Sequence, residues 1–119
     1  MKFGVETRSH SVWGSGLLDR VEYRLVETAE ERDRICALRY KAYFHGGLIP
    51  ASESKRVHDP YDDAPNAWTF GIYVDGQLSS SVRLHVLTPE LRMSHASDLF
   101  GDVLNPRLDQ GEVFVDPSR

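Results

Sequence analysis

The sequence predicts one mixed α/β domain of the α+β kind, with a largely antiparallel sheet. Three observations carry this reading. A helix-start signature follows a short alternating segment, a long β-hairpin fills the middle of the chain, and the elements run strand, helix, loop, hairpin, short helix, strand. At 119 residues the chain has room for one modest core.

Residues 1–20 mix charge, Ser and Gly with no apolar run of signal-peptide length, so they read as a flexible or loosely docked arm. The folded portion is expected over 21–119. Val21 to Glu27 is the first strand, with Val21, Tyr23 and Leu25 alternating against charged neighbours. Thr28 stands three residues before Glu31, the spacing at which a hydroxyl and a carboxylate satisfy each other's backbone amides at a helix start. A helix from about Ala29 to Phe44 follows, with Ile35, Leu38 and Ala42 as its buried stripe, Tyr43 beside them, and Gly46-Gly47 as its stop.

Leu48 to Asn66 carries three prolines and several acids, and reads as a long loop with at most one helical turn, around Ser52 to Val57. In the hairpin, a two-residue Asp75-Gly76 turn sets Ile72 opposite Ser79 and mixes apolar with polar positions. A three-residue loop with Gly76 left-handed instead pairs Ile72 with Leu78, Phe70 with Ser80 and Trp68 with Val82. That register, the preferred one, puts Thr69, Tyr73, Ser79, Ser81, Arg83 and His85 together on the opposite face. Ser97 then caps a short helix from about Asp98 to Leu104, anchored by Leu99, Val103 and Phe100 and broken by Asn105-Pro106. In a last strand, Gly111 to Asp116, Val113 and Val115 face the core, and Glu112, Phe114 and Asp116 face the other way. Its outer edge is expected to be covered by the N-terminal arm or a second copy, or else left bare because the chain is a portion of a longer one.

Composition excludes several classes. With 40% hydrophobic and 27% charged residues the chain is neither generally disordered nor membrane-embedded, and its apolar runs are too short to span a bilayer. Lys+Arg of 14 against Asp+Glu of 18, a net charge of -4, argues against a domain built to grip phosphate backbones. A lone cysteine, Cys36, forms no internal disulfide and no thiolate zinc cluster; it suits a reducing, cytoplasmic setting and reads as a small buried apolar residue. His45, His58, His85 and His95 show no HxxxH or HxH spacing, so no metal site is expected.

The element order, with an Arg-x-x-x-aromatic on the first helix, resembles the opening half of the general N-acetyltransferase (GNAT) fold. LRYKAYF (Arg39, Tyr43), HDPYDD (Asp59, Asp62), SVRLH (Arg83), SDLFGDVL (Phe100) and DPSR (Asp116, Arg119) resemble, in that order and spacing, the acyl-homoserine lactone synthases. They are more similar still to the bacterial N-acyl amino acid synthases, over about Tyr23 to Arg119. The tryptophan that lactone synthases place soon after the first helix is replaced by His45-Gly46-Gly47-Leu48, which disfavours a lactone synthase using S-adenosylmethionine.

The resemblance implies a GNAT-like half-fold and an N-acyltransferase moving a fatty acyl group to the amine of an amino acid. The donor is acyl-CoA or the acyl-phosphopantetheine of an acyl carrier protein, a co-substrate rather than a tightly bound cofactor. Such a transfer needs a neutral amine, a thioester held beside it and donors for the oxyanion, with no protein nucleophile. The resemblance favours Asp116, or Glu112 through a water, as acceptor of the amine proton. The two lie about 13 Å apart along a strand, so at most one is the base, and either is equally read as a solvated carboxylate. Arg39 is placed to pair with Asp59 or Asp62, ordering the acceptor loop or forming an ordinary ion pair. Arg83 orients a carboxylate or is a cross-sheet ion partner, Tyr43 and Phe100 line an acyl tunnel or are plain core, and Arg119 joins the substrate-binding set.

The resembling fold continues beyond this point into a glycine-bearing pyrophosphate loop, for which Gly14-Ser15-Gly16 is no substitute. The isolated chain is therefore expected to turn over little. A catalytically silent GNAT-like module, binding a partner or a second copy through its last strand, is the alternative.

Overall fold

The computed structural model describes residues 8–9 and 16–119. They form a five-stranded antiparallel sheet in the order β1-β2-β3-β4-β5 with two helices. The strands are β1 (Arg8–Ser9), β2 (Val21–Leu25), β3 (Ala67–Val74), β4 (Gln77–Leu87) and β5 (Phe114–Ser118), and the helices α1 (Ala29–His45) and α2 (His95–Asp109). The fold is α+β, as the element order predicts. Most of the expected arm, residues 1–7 and 10–15, lies outside the described residues, and with it Gly14 and Ser15.

α1 begins where the sequence says it does. The Thr28 side chain accepts from the Glu31 amide at 3.1 Å, and the Glu31 carboxylate accepts from the Thr28 amide at 3.1 Å. It ends in a Schellman turn: Gly47 sits at φ 72, its amide reaches the Phe44 carbonyl, and the Leu48 amide reaches that of Tyr43. The buried stripe differs from the expected one. Ile35, Cys36, Arg39 and Tyr40 are buried, while Ala42 is exposed and Leu38 half-buried. The stripe shifts because Arg39 has buried partners to meet, so an arginine occupies a core position.

The hairpin corrects the preferred register. Asp75 (φ 51) and Gly76 (φ 79) form a two-residue turn with both residues left-handed, and Val74 pairs with Gln77. The conflict that argued against this turn is relieved by a bulge: Tyr73 pairs with Leu78 and Ile72 with Ser80, so Ser79 is the extra residue. Beyond it Phe70 pairs with Val82 and Trp68 with Leu84. Trp68, Phe70, Ile72 and Val82 do share a face, but Leu78 lies on the other with Gly71 and Tyr73. Gly71 makes room there: a Cβ on it would stand 3.0 Å from Leu78 Cδ1 and from Tyr73 Cε1, and 3.5 Å from Ile35 Cδ1.

That last distance places α1 over the face carrying Thr69, Gly71, Tyr73, Ser81, Arg83 and His85. This polar face is the more deeply buried one, and the apolar residues Trp68, Phe70, Ile72, Val82 and Leu84 are half-buried. The packed side of the sheet is therefore its polar side, and the register follows the partners of those polar residues rather than apolar coherence.

The single turn within the long loop falls at Pro60–Asp63, not at Ser52 to Val57. Asp59 caps it and Pro60 occupies the first helical position, where a missing N–H costs nothing. α2 is longer than expected. Its cap is Ser94, whose hydroxyl accepts from the Ser97 amide; it bends at Phe100 (φ -125, ψ 27) and runs through Pro106. Leu99, Phe100 and Val103, expected as anchors, are exposed, and Leu108 is the buried residue of the helix at 0%. β5 starts later than expected and its valines do not face a core: Val113 and Val115 are 58% and 56% exposed. β5 is an edge strand, and the described arm residues of β1 pair at the opposite edge, with β2.

Leu108→Ala is expected to destabilise the protein by about 2–5 kcal/mol, and Leu99→Ala on the same helix by about 0.5 kcal/mol or less. Urea midpoints of the two variants measure the contrast; equal losses contradict the assigned buried face.

Candidate functional site

Four side chains that the sequence singled out converge between α1, the sheet and the Pro60–Asp63 turn. Within that turn Asp59 and Asp62 cap each other: the Asp59 carboxylate accepts from the Tyr61 and Asp62 amides, and the Asp59 amide donates to Asp62 Oδ2 at 3.0 Å. The turn thereby presents two carboxylates side by side. Arg39, from α1, donates through Nη1 to both oxygens of Asp62 at 3.0 and 2.9 Å. Arg83, from β4, donates through Nη1 to Asp59 Oδ1 at 2.7 Å and Asp62 Oδ1 at 2.8 Å, through Nη2 to Asp59 Oδ2 at 3.2 Å, and through Nε to the Ser118 hydroxyl at 3.1 Å.

Burial makes this arrangement costly to break. The side chains of Arg39, Asp62 and Arg83 are 7%, 5% and 3% exposed, and only Asp59, at 38%, meets solvent. Two guanidinium groups balance two carboxylates, and most polar atoms are paired, as a buried ion network requires. The exception is Arg39 Nε, buried without a partner. Arg39 also lines a cavity of about 70 Å³ shared with Arg32, Cys36, Asp62 and Thr69, with room and polar walls for an ordered water.

The protonation states follow. Burial pushes the Asp59 and Asp62 carboxyls up, but the guanidinium of Arg83 at Asp59, and the Asp59 amide with both guanidiniums at Asp62, outweigh it and hold both below their usual range. Burial pulls Arg83 down and the two carboxylates more than offset that, so it stays charged. Burial raises the Cys36 thiol, leaving a small unreactive side chain as expected.

Asp116 and several residues the motifs did not single out extend the network. His85, 1% exposed, donates from Nε2 to the Tyr61 carbonyl at 2.9 Å, since a carbonyl only accepts. The Tyr61 hydroxyl donates to the Asp98 carboxylate, which raises the tyrosine's pKa. The His95 ring lies 3.9 Å from that of Tyr61, with Nε2 3.9 Å from Asp59 Oδ2. Asp116, opposite His85, accepts from the Ala96 amide in the first turn of α2 at 3.0 Å. The turn thus ties α1, the sheet and α2 together. Tyr61 sits inside the acidic motif and Ser118 inside DPSR, so the polar members of those motifs carry the sequence signal for both.

The remaining predicted residues separate. Tyr43 donates from its hydroxyl to the Arg119 backbone oxygen at 2.8 Å. The two border a cleft of about 110 Å³ shared with Arg39 and Ser79, Ser80 and Ser81. Phe100, at the bend of α2, is 58% exposed and lies outside the cluster. Glu112 precedes β5 rather than sharing its face with Asp116; Arg107 grips it at 2.8 and 2.9 Å and lowers its pKa.

The chain also matches a known family. The family described as N-acyl amino acid synthase FeeM matches residues 34–119, which take in α1 from its second turn, the ion network and β5. That is well over half of the chain, and the chain belongs to this N-acyl amino acid synthase family. Comparison with curated proteins and with solved structures gives no match.

Asp62→Ala strands the buried Arg39 and takes one of its two carboxylates from Arg83, and is expected to cost about 3–5 kcal/mol, read as a fall in the urea midpoint. The lowered carboxyls set the acid response. Their contribution is full above the unfolded carboxylate value of about 4 and is lost as pH falls through the lower folded values. Stability of the natural sequence should therefore drop steeply below about pH 4, and that part of the slope should vanish in a variant with Asp59→Asn and Asp62→Asn.

Proposed function

We propose that the chain takes part in N-acyl transfer, moving a fatty acyl group from an acyl carrier protein or acyl-CoA to the amine of an amino acid, on a GNAT-like scaffold. One observation carries this reading: the N-acyl amino acid synthase match spans the same residues that build the ion network.

The geometry supports a division of labour. Arg83, Asp59 and Asp62 hold the acidic loop on the sheet. Arg39, Tyr43 and Arg119 border the serine-lined cleft, where the Ser80 and Ser81 hydroxyls and the positive charge of the arginines suit an amino acid's carboxylate. Asp116 is the better proton acceptor of the two candidates, because Glu112 is committed to the Arg107 guanidinium at 2.8 and 2.9 Å, whereas Asp116 accepts from one backbone amide. Phe100, exposed on α2, is free to meet an acyl chain.

The test incubates the protein with acyl donors and pooled amino acids and reads product masses. A low but measurable yield of N-acyl amino acids is expected, with Asp116→Asn slowing their formation by about 10²-fold or more and Glu112→Gln leaving it nearly unchanged. Equal losses in both variants contradict the assignment of the base. A second reading, a silent module that pairs through the outer edge of β5, is favoured by that edge carrying no strand among the described residues. It predicts no product with any donor.

A further inference from the structure

The bend of α2 at Phe100 separates the first turn of the helix from the half that Leu108 anchors. No residue from His95 to Leu99 is buried: His95, Asp98 and Leu99 are exposed, and Ala96 and Ser97 are half-buried. Polar contacts, rather than apolar burial, therefore set the place of this turn. At its base the buried Ser94 hydroxyl accepts from the Ser97 amide at 3.0 Å, and Asn66 Nδ2 donates to the Met93 carbonyl at 3.0 Å.

Beyond the base, two elements reach the turn from different sides. From β5, Asp116 Oδ2 accepts from the Ala96 amide at 3.0 Å, one of the N–H groups that a helix start leaves without an intrahelical partner. From the Pro60–Asp63 turn, Tyr61 donates its hydroxyl to the Asp98 carboxylate, a charge-assisted bond, and lays its ring against that of His95 with centroids 3.9 Å apart. His95 Nε2 in turn stands 3.9 Å from Asp59 Oδ2. Ala96 lies in sequence between the two residues that Tyr61 holds.

Tyr61 is itself fixed from beneath. Its backbone carbonyl accepts from His85 Nε2 at 2.9 Å, and the two rings meet edge to face, 6.0 Å apart at 81°. His85 is 1% exposed and is the β4 residue paired with Asp116. The tyrosine thus spans from the buried side of the sheet to the helix turn whose amide holds the carboxylate.

We propose that Tyr61 is a positioning residue for Asp116: by holding the first turn of α2 through Asp98 and His95, it places the Ala96 amide that orients the carboxylate for proton acceptance. The inference rests on the acyltransferase reading above, in which Asp116 is the base. It assigns Tyr61 no contact with substrate; the hydroxyl acts through the helix turn. A misplacement of about 1 Å in such an arrangement costs on the order of 10²-fold in rate, so a partial loosening is measurable.

The test compares transfer kinetics, melting temperatures and backbone amide spectra of the whole chain in its natural sequence and in Tyr61→Phe, Asp98→Ala and Asp116→Ala. Tyr61→Phe removes the hydroxyl alone and keeps the carbonyl that His85 holds; Asp98→Ala breaks the same link without touching the ring. Asp116→Ala marks where the Ala96 amide signal lies once its carboxylate is gone. Tyr61→Phe and Asp98→Ala are each expected to move that signal towards this mark, and to lower kcat about tenfold with the KM for the amino acid changed less than about twofold. Adding Tyr61→Phe to Asp116→Ala is expected to cost no further activity, because both act through one group. A tyrosine that only stabilises the fold would lower the melting temperature and leave kcat and the Ala96 signal unchanged; that result overturns the inference. A loss carried by KM, or a further loss on top of Asp116→Ala, does the same while leaving the acyltransferase reading in place. Absence of product with every donor removes the acyltransferase reading; the Ala96 signal then decides alone, its movement sustaining the link from Tyr61 to Asp116 and its constancy breaking it.

Discussion

The structure depends on the pairing of Arg39 and Arg83 with Asp62, three side chains almost entirely withdrawn from water. Buried charges are stable only in company. A guanidinium from the helix and one from the sheet meet on a carboxylate from the loop, so the three elements are tied to one another at that point. The short turn at Pro60–Asp63 is the keystone: a four-residue element with no buried apolar residue, held by charge rather than by apolar area.

This explains an inverted sheet. In most half-covered antiparallel sheets the apolar face packs and the polar face is wet. Here the helix lies over tyrosine, serine, arginine and histidine, and Gly71 lets Leu78 and Tyr73 close up beneath Ile35. The charged and aromatic polar side chains are not misplaced: Arg83 and His85 find partners in the loop and in β5, and Tyr73 meets the Arg24 guanidinium of β2. The bulge at Ser79 lets one strand serve both ends of this face, carrying Leu78 against the helix near the turn and Arg83 against the acids further along.

How much of this was legible follows from the range of each interaction. The α1 cap, its glycine stop and the meeting of Arg39 with the acidic motif were readable, the first two because they are local and the third because the motifs were recognised in order. The hairpin register was not. It was argued from apolar coherence, and the sequence does not announce that Arg83 and His85 have buried partners some twenty residues away. The same rule misjudged α1, where Arg39 displaced Ala42 from the buried stripe, and α2, where Leu99, Phe100 and Val103 have the spacing of anchors but face solvent. Glu112 and Asp116 looked equivalent because alternation cannot say where a strand begins. The structure starts β5 at Phe114 and so separates them.

Cys36 lies buried under the loop, its thiol raised by burial and its backbone carbonyl engaged by Val57. The protein therefore comes with a silent thiol. A cysteine introduced on an exposed position can be alkylated or spin-labelled selectively against that background, without first removing the native one. Distance and mobility measurements between the loop, α1 and α2 are thus open in the unmodified scaffold.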